Sequence, residues 1–267
     1  MRVGVAGFGA IGQRVAILIE QTVPEVTLTA ITSRDLGQAR ANAVEILRHA
    51  PPVVALSEVV TRSDLVIEAA PAPAFREIAV AVLGAGKPLL TVSLGALLDG
   101  YDEYVALARR HGAVIHAASG AIGGLDALAA AAIGQVGSVV MTTRKPPRGL
   151  AGAPYLDEHR IDVTRLTEPT VVFEGTAREA IRGFPANVNV AVAVSLAGIG
   201  PDRTRVRIVA DPTIIRNTHD VDVVGDFGRL TVRIENTPSA NPRTGVITAQ
   251  SVIATLKKLT SPVRIGT

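Results

Sequence analysis

The chain has 267 residues, with 27 Lys and Arg against 24 Asp and Glu and a formal net charge of +3. Hydrophobic residues make up 48 % and charged residues 19 %, a globular composition at a length between one large domain and two small ones. There is no Cys, which excludes disulfides, thiolate zinc sites and a cysteine nucleophile and suits a reducing compartment.

The basic residues are scattered, and three Tyr, five Phe and no Trp offer little for bases to stack on, so no nucleic-acid partner is expected. No apolar run approaches the roughly 18 residues of a membrane span. The start, Met1-Arg2-Val3-Gly4, does not read as a secretory signal. The expectation is a soluble, cytoplasmic protein with no membrane partner and no metal.

Periodicity separates two regimes. Over residues 1–118 short apolar runs alternate with helical stretches. The pattern predicts strands at Val3–Ala6, Leu28–Thr32, Asp64–Ala69, Leu89–Val92 and Val114–Ala117, and helices at Ile11–Glu20, Gln38–His49 and Tyr101–His111. Apolar runs without alternation are what strands buried on both faces look like, and their interleaving with helices predicts a Rossmann-type, doubly wound parallel sheet.

From residue 119 the pattern changes. A helix is predicted over Gly124–Ile133, then strands at Val136–Arg144, Thr170–Glu174, Thr204–Ala210, Asp220–Gly225 and Leu230–Glu235, with a helix at Ala186–Ala197 between them. Several of these strands alternate apolar and polar residues, which suits a second α+β domain with a mixed, largely antiparallel sheet. Lys145–Glu158, with three prolines and two glycines, reads as one long irregular loop. Gly245–Leu259 reads as a helix that packs back on the first domain. The predicted division is a dinucleotide-binding domain over 1–118, to which 242–267 return, and a substrate, catalytic and oligomerisation domain over 119–241.

The first strand runs straight into Gly7-Phe8-Gly9-Ala10-Ile11-Gly12. A GxGxxG is weak alone, but here a strand precedes it and a helix follows, as phosphate binding requires. Gly7 permits the turn, Gly9 lets backbone approach a pyrophosphate, and Gly12 lets the helix pack closely. The helix N-terminus then offers free N–H groups to the anion.

The second strand ends in Thr32-Ser33-Arg34-Asp35. An NAD-selective site places an acid there first. Hydroxyls and a guanidinium, as at Ser33 and Arg34, suit a 2′-phosphate instead, so NADP is expected to be accepted at least as well as NAD. Ala69 and Ala70, and Ser93 after the next strand, leave room for the ribose and nicotinamide side; they serve equally as plain strand–helix turns.

Ser119-Gly120-Ala121-Ile122-Gly123-Gly124 is a second glycine-rich turn, where the domains meet. It offers N–H groups to an anion or to the nicotinamide carboxamide, or serves as a domain-crossing hinge. Among five histidines, His111 reads as a helix end, His49 and His159 as solvated, and His116 as a core residue. His219 lies in a polar break, Ile215–Asp220, and is the catalytic candidate by context. The asparagines of Phe184-Pro185-Ala186-Asn187-Val188-Asn189 can cap a helix or bond a cofactor amide. Lys145, one of four lysines, opens the irregular loop and could hold a carboxylate.

Together these motifs carry a resemblance. Gly7–Gly12, Ser119–Asp126, Thr143-Arg144-Lys145-Pro146-Pro147, Val171–Gly175, Phe184–Val190, Val209–Pro212, Asn217-Thr218-His219 and Glu235–Ser239 recur in that order in the L-aspartate dehydrogenase family, which the chain resembles over nearly its whole length. The resemblance implies oxidation of L-aspartate at C2 by NAD or NADP to iminosuccinate. That imine then yields oxaloacetate and ammonia or feeds NAD biosynthesis. It implies His219 as the active-site histidine, Ala121 and Asn187 (alternatively Asn189) as cofactor contacts, and a homo-oligomer, a dimer or higher. Ser119, Gly120 and Lys145 are the candidates for the substrate carboxylates.

Two rivals stand beside it. A reductase of the dihydrodipicolinate type would need that family's paired-histidine and lysine motif, which is not found. A non-catalytic dinucleotide-binding sensor would keep Gly7–Gly12 and have no need of His219.

Overall fold

The computed structural model describes residues 1–185, 189–237 and 245–266. It comprises two compact units, residues 1–118 with 248–265 and residues 119–247 with 266–267.

The first unit opens with β1 (Arg2–Ala6), α1 (Ala10–Thr22), β2 (Thr27–Thr32), α2 (Leu36–Ile46), α3 (Leu56–Arg62) and β3 (Leu65–Glu68). There follow α4 (Phe75–Gly84), β4 (Leu89–Thr91), α5 (Leu94–Asp99), α6 (Tyr101–His111) and β5 (Ile115–Ala117). All strand pairs are parallel, in the order β2-β1-β3-β4-β5. The order reverses between β1 and β3, so a crevice opens outside their carboxyl ends. At that crest Ala6 pairs with Thr32 on one side and with Glu68 on the other.

Strands such as Val3–Ala6 and Leu65–Ile67 are wholly buried, as their unbroken apolar runs predict. The boundaries of α2 move to Leu36–Ile46 because Asp35 caps it, its carboxylate accepting the Gln38 N–H at 2.9 Å. Helices α3, α4 and α5 were not among the predicted elements.

The second unit contains α7 (Leu125–Ala131), β6 (Val136–Lys145), α8 (Pro154–Glu158), β7 (Thr170–Thr176), α9 (Ala177–Gly183) and α10 (Asn189–Ala197). β8 (Thr204–Ala210), β9 (Asn217–Gly225) and β10 (Gly228–Asn236) complete a sheet of order β10-β9-β6-β8-β7. β6 and β8 run parallel and the other neighbours antiparallel, the mixed, largely antiparallel sheet of the expectation.

Two local expectations are corrected here. The stretch Lys145–Glu158 is not one irregular loop: Lys145 ends β6, a 3-10 turn covers Pro147–Gly149, and Pro154 opens α8, where a proline's missing N–H costs nothing. Nor is Ile215–Asp220 a break throughout, since β9 begins at Asn217. Its polar residues Asn217, Thr218 and His219 are buried; β10 pairs with all three, and β6 with Thr218 and His219.

The last helix, α11 (Ile247–Thr260), places Ala249, Val252, Ile253 and Leu256 on one stripe, the i, i+3, i+4, i+7 pattern of a half-buried helix. That stripe joins the core cluster of Val3, Val5, Val15 and Ile31, so the helix packs back on the first unit.

Candidate active site

In the first unit the glycine turn is built by close approach. Gly7 has φ +99°, and a Cβ there would lie 2.5–2.6 Å from backbone atoms of Ala69 and Ala70. A Cβ on Gly12 would lie 2.0 Å from the Gly7 carbonyl oxygen, while one on Gly9 would meet nothing within 4 Å. Gly9 and Ala10 are exposed, and the first turn of α1 has neither an acidic residue nor a side-chain cap. No side chain caps its leading N–H groups, and such an uncapped helix start behind a glycine turn fits a pyrophosphate.

The Gly7 N–H donates to the Thr32 carbonyl at 2.9 Å, tying the turn to the end of β2. Ser33 is half-buried and Arg34 exposed there. Phe8 is buried in the core cluster, so its side chain packs and its backbone alone faces the turn. Ile11 also packs against that cluster.

Glu68 was not among the predicted site residues, though a lone charge closing an apolar strand is a readable signal. It is fully buried. Burial pushes its carboxyl up from the ordinary value, against donors from Thr91, Ala70 and Ser93 that pull it down. Ala69, Ala70 and Ser93, all half-buried, sit around it; the Ser93 hydroxyl lies 3.0 Å from Glu68 Oε1 and 3.4 Å from the Ala70 carbonyl.

In the second unit β9 carries His219 beside Thr143 of β6, its register partner. Thr143 Oγ1 and His219 Nδ1 are hydrogen-bonded at 3.0 Å, and both residues are buried. Period-2 alternation along β6 puts Val139, Met141, Thr143 and Lys145 on the buried face, which is why Lys145 is 3 % exposed and not a solvated loop residue. Thr143 was not among the predicted site residues, and this alternation is the sequence signal for it. Arg144 turns the other way, into a cleft of about 480 Å³ with Asp211, Arg216, Thr218 and Arg233.

Burial, and then the positive charge of Lys145, push the His219 imidazole down to about 3. That is well below the ordinary imidazole value of about 6.5, so the ring stays neutral across working pH and is a poorer proton acceptor than a free histidine. Because its folded value lies below its unfolded one, it contributes stability above about pH 6.5 that is lost as pH falls toward 3, at about 1.4 kcal/mol per pH unit. Burial of His116 acts in the same direction. Urea unfolding at neutral pH and at about pH 5 should show a smaller acid loss for His219→Gln than for the wild type. An equal loss would contradict the buried neutral state.

Ser119 and Gly120 are half-buried, and Gly120 has φ +65°. The Ala121 carbonyl accepts the Asn236 amide at 3.0 Å, so Asn236 holds this turn. Asn189 opens α10 and is exposed, while Asn187 lies outside the described residues. His49, His111 and His159 are exposed, the last stacked on Tyr155 with ring centroids 3.8 Å apart.

Among the described residues no helix is long and apolar enough to cross a membrane. A family model described as "Aspartate dehydrogenase, C-terminal" matches residues 126–259, and one described as "Homoserine dehydrogenase, NAD binding domain" matches residues 7–118. The chain is 48 % identical over 266 residues to L-aspartate dehydrogenase 3 of Bordetella bronchiseptica, covering 99 % of this chain and 97 % of that protein. It is 45 % identical to the L-aspartate dehydrogenase of Methanocella arvoryzae, covering 100 % and 99 %. The crystal structure of aspartate dehydrogenase from Thermotoga maritima superposes with a TM-score of 0.74 at 27 % identity, covering 100 % of this chain and 99 % of that one. Glycine cradle, mixed sheet and full-length likeness agree, and the chain belongs to the L-aspartate dehydrogenase family.

Proposed function

We propose that this protein oxidises L-aspartate at C2 with NAD(P)⁺ to iminosuccinate, which hydrolyses to oxaloacetate and ammonia or feeds NAD biosynthesis. The observation that carries this reading, in a chain of this family, is the buried His219–Thr143 pair with the charge of Lys145 acting on the ring. Bound NAD(P)⁺ supplies the acceptor for the C2 hydrogen and its electron pair.

The chain's own residues do the rest. Gly7–Gly12 and the N-terminus of α1 hold the pyrophosphate, and Ala69, Ala70 and Ser93 border the nicotinamide side. Ala121 and an asparagine, Asn187 or Asn189, are the further cofactor contacts that the family resemblance implies. If Nδ1–H of His219 donates to Thr143, Nε2 keeps its lone pair for the amine proton or for the water that attacks the imine. Lys145, with the N–H groups of Ser119 and Gly120, takes the substrate carboxylates. Burial is the larger cause of the lowered His219, and a carboxylate at Lys145 would offset only the smaller one, that cation's charge.

Acceptance of NADP is supported by Asp35, whose carboxylate caps α2 and so is already engaged, leaving Arg34 at the strand end. Arg34→Ala should lower affinity for NADP and spare that for NAD; an unchanged preference removes Arg34 from the site. The family resemblance supports a homo-oligomer, and the lack of Cys suits the cytoplasm.

An assay of NAD(P)H formation at alkaline pH across a panel of amino acids tests the function. Turnover with aspartate is expected. Turnover with cyclic imines alone, or none at all, would contradict it.

A further inference from the structure

A strand-end carboxylate is costly to bury, and Glu68 is 0 % exposed at the point where the strand order reverses. It closes β3, pairs in register with Ala6 just before the glycine turn, and faces Thr91 of β4 on its other side. Ligands of open α/β sheets lie outside the carboxyl ends at such a reversal.

Three groups converge on its two oxygens. The Ala70 N–H donates to Oε1 at 2.7 Å, the Ser93 hydroxyl to Oε1 at 3.0 Å, and the Thr91 hydroxyl to Oε2 at 2.6 Å. Thr91 Oγ1 itself accepts the Ser93 N–H at 2.9 Å, which leaves its hydrogen to give to Glu68. Burial favours the neutral acid, and the donors aimed at both oxygens oppose it and favour the ionised form, which alkaline pH completes. Hydroxyl and backbone N–H dipoles face the charge directly.

A structural role does not need that charge. Glutamine would tie the same two turns, its oxygen accepting from Ala70 and Ser93 and its amide bonding to Thr91. What the carboxylate adds is a field. The oxidised nicotinamide ring carries a positive charge and the reduced ring is neutral, and a desolvated anion distinguishes the two far better than one in water.

We propose that the Glu68 carboxylate is a fixed anion of the cofactor site that favours oxidised over reduced NAD(P). The inference rests on the reading that the first unit binds the cofactor. It gives the enzyme a means of binding its oxidant in the presence of its own reduced product.

The test is equilibrium binding of NAD⁺ and NADH, without substrate, to wild type, Glu68→Gln and Thr91→Val at alkaline pH. Glu68→Gln should weaken NAD⁺ about tenfold relative to NADH. Thr91→Val removes a donor and keeps the charge, so it should leave that ratio in place. A ratio unchanged in Glu68→Gln, or shifted equally by Thr91→Val, would overturn the proposal. Should Glu68→Gln not fold, the charge-free pair Glu68→Met with Thr91→Val, in which both partners become apolar, makes the same comparison. Wild type that binds neither nucleotide would overturn the cofactor reading itself, a distinguishable result.

Discussion

Replacing His219 with alanine is expected to lower turnover with aspartate by about 100-fold or more, the usual scale for a lost acid–base group, while the cofactor still binds. The split follows from where the side chain stands. His219 belongs to β9 of the second unit, whereas the glycine cradle belongs to the first. Its removal leaves the buried Thr143 hydroxyl without its partner, a loss of about 1–3 kcal/mol in stability on top of the kinetic effect. His219→Asn offers that hydroxyl an amide and separates the two effects: it should recover stability and not turnover. Measured kcat near the wild-type value for either variant would remove His219 from the mechanism.

Glycine substitutions in the cradle should divide sharply. Gly12→Ala drives a methyl group to 2.0 Å from the Gly7 carbonyl oxygen, a backbone atom that cannot swing aside. Overpacking of that kind costs about 3 kcal/mol and displaces the start of α1, so stability and cofactor binding should fall together. A Cβ on Gly9 would meet no neighbour within 4 Å, so the thermal unfolding of Gly9→Val should match the wild type. Its side chain occupies the space the pyrophosphate needs, so cofactor affinity should drop at least about tenfold, or 1.4 kcal/mol. Loss of stability in Gly9→Val, or intact binding in both variants, would contradict a phosphate cradle.

Much of this was legible in the residues because it depends on local rules. Buried parallel strands write themselves as unbroken apolar runs, as in Val3–Ala6 and Leu65–Ile67, and a glycine turn between strand and helix has few other uses. Short helices were harder. α9 begins with a reciprocal cap between Thr176 and Glu179, a T-x-x-E signature present in the sequence, but seven residues are too few for a periodic stripe.

The site resisted where pairing across strands decides the outcome. Asn217-Thr218-His219 looks like a polar break, because nothing in one strand reveals that β6 and β10 flank it and bury it. The same ladder sets Thr143 beside His219 and removes the solvent that would have kept the imidazole near its ordinary value. Glu68 shows the same limit: its charge is visible in the sequence, while the hydroxyls that receive it lie on the next strand and the turn after it.

The central claim is oxidation of aspartate at C2, and isotope transfer tests it most directly. With L-aspartate deuterated at C2 and NAD(P)⁺, mass spectrometry of the reduced nucleotide should show one deuterium per molecule, formed in step with ammonia. Reduced nucleotide without deuterium, or ammonia released with no reduced nucleotide, would contradict the account.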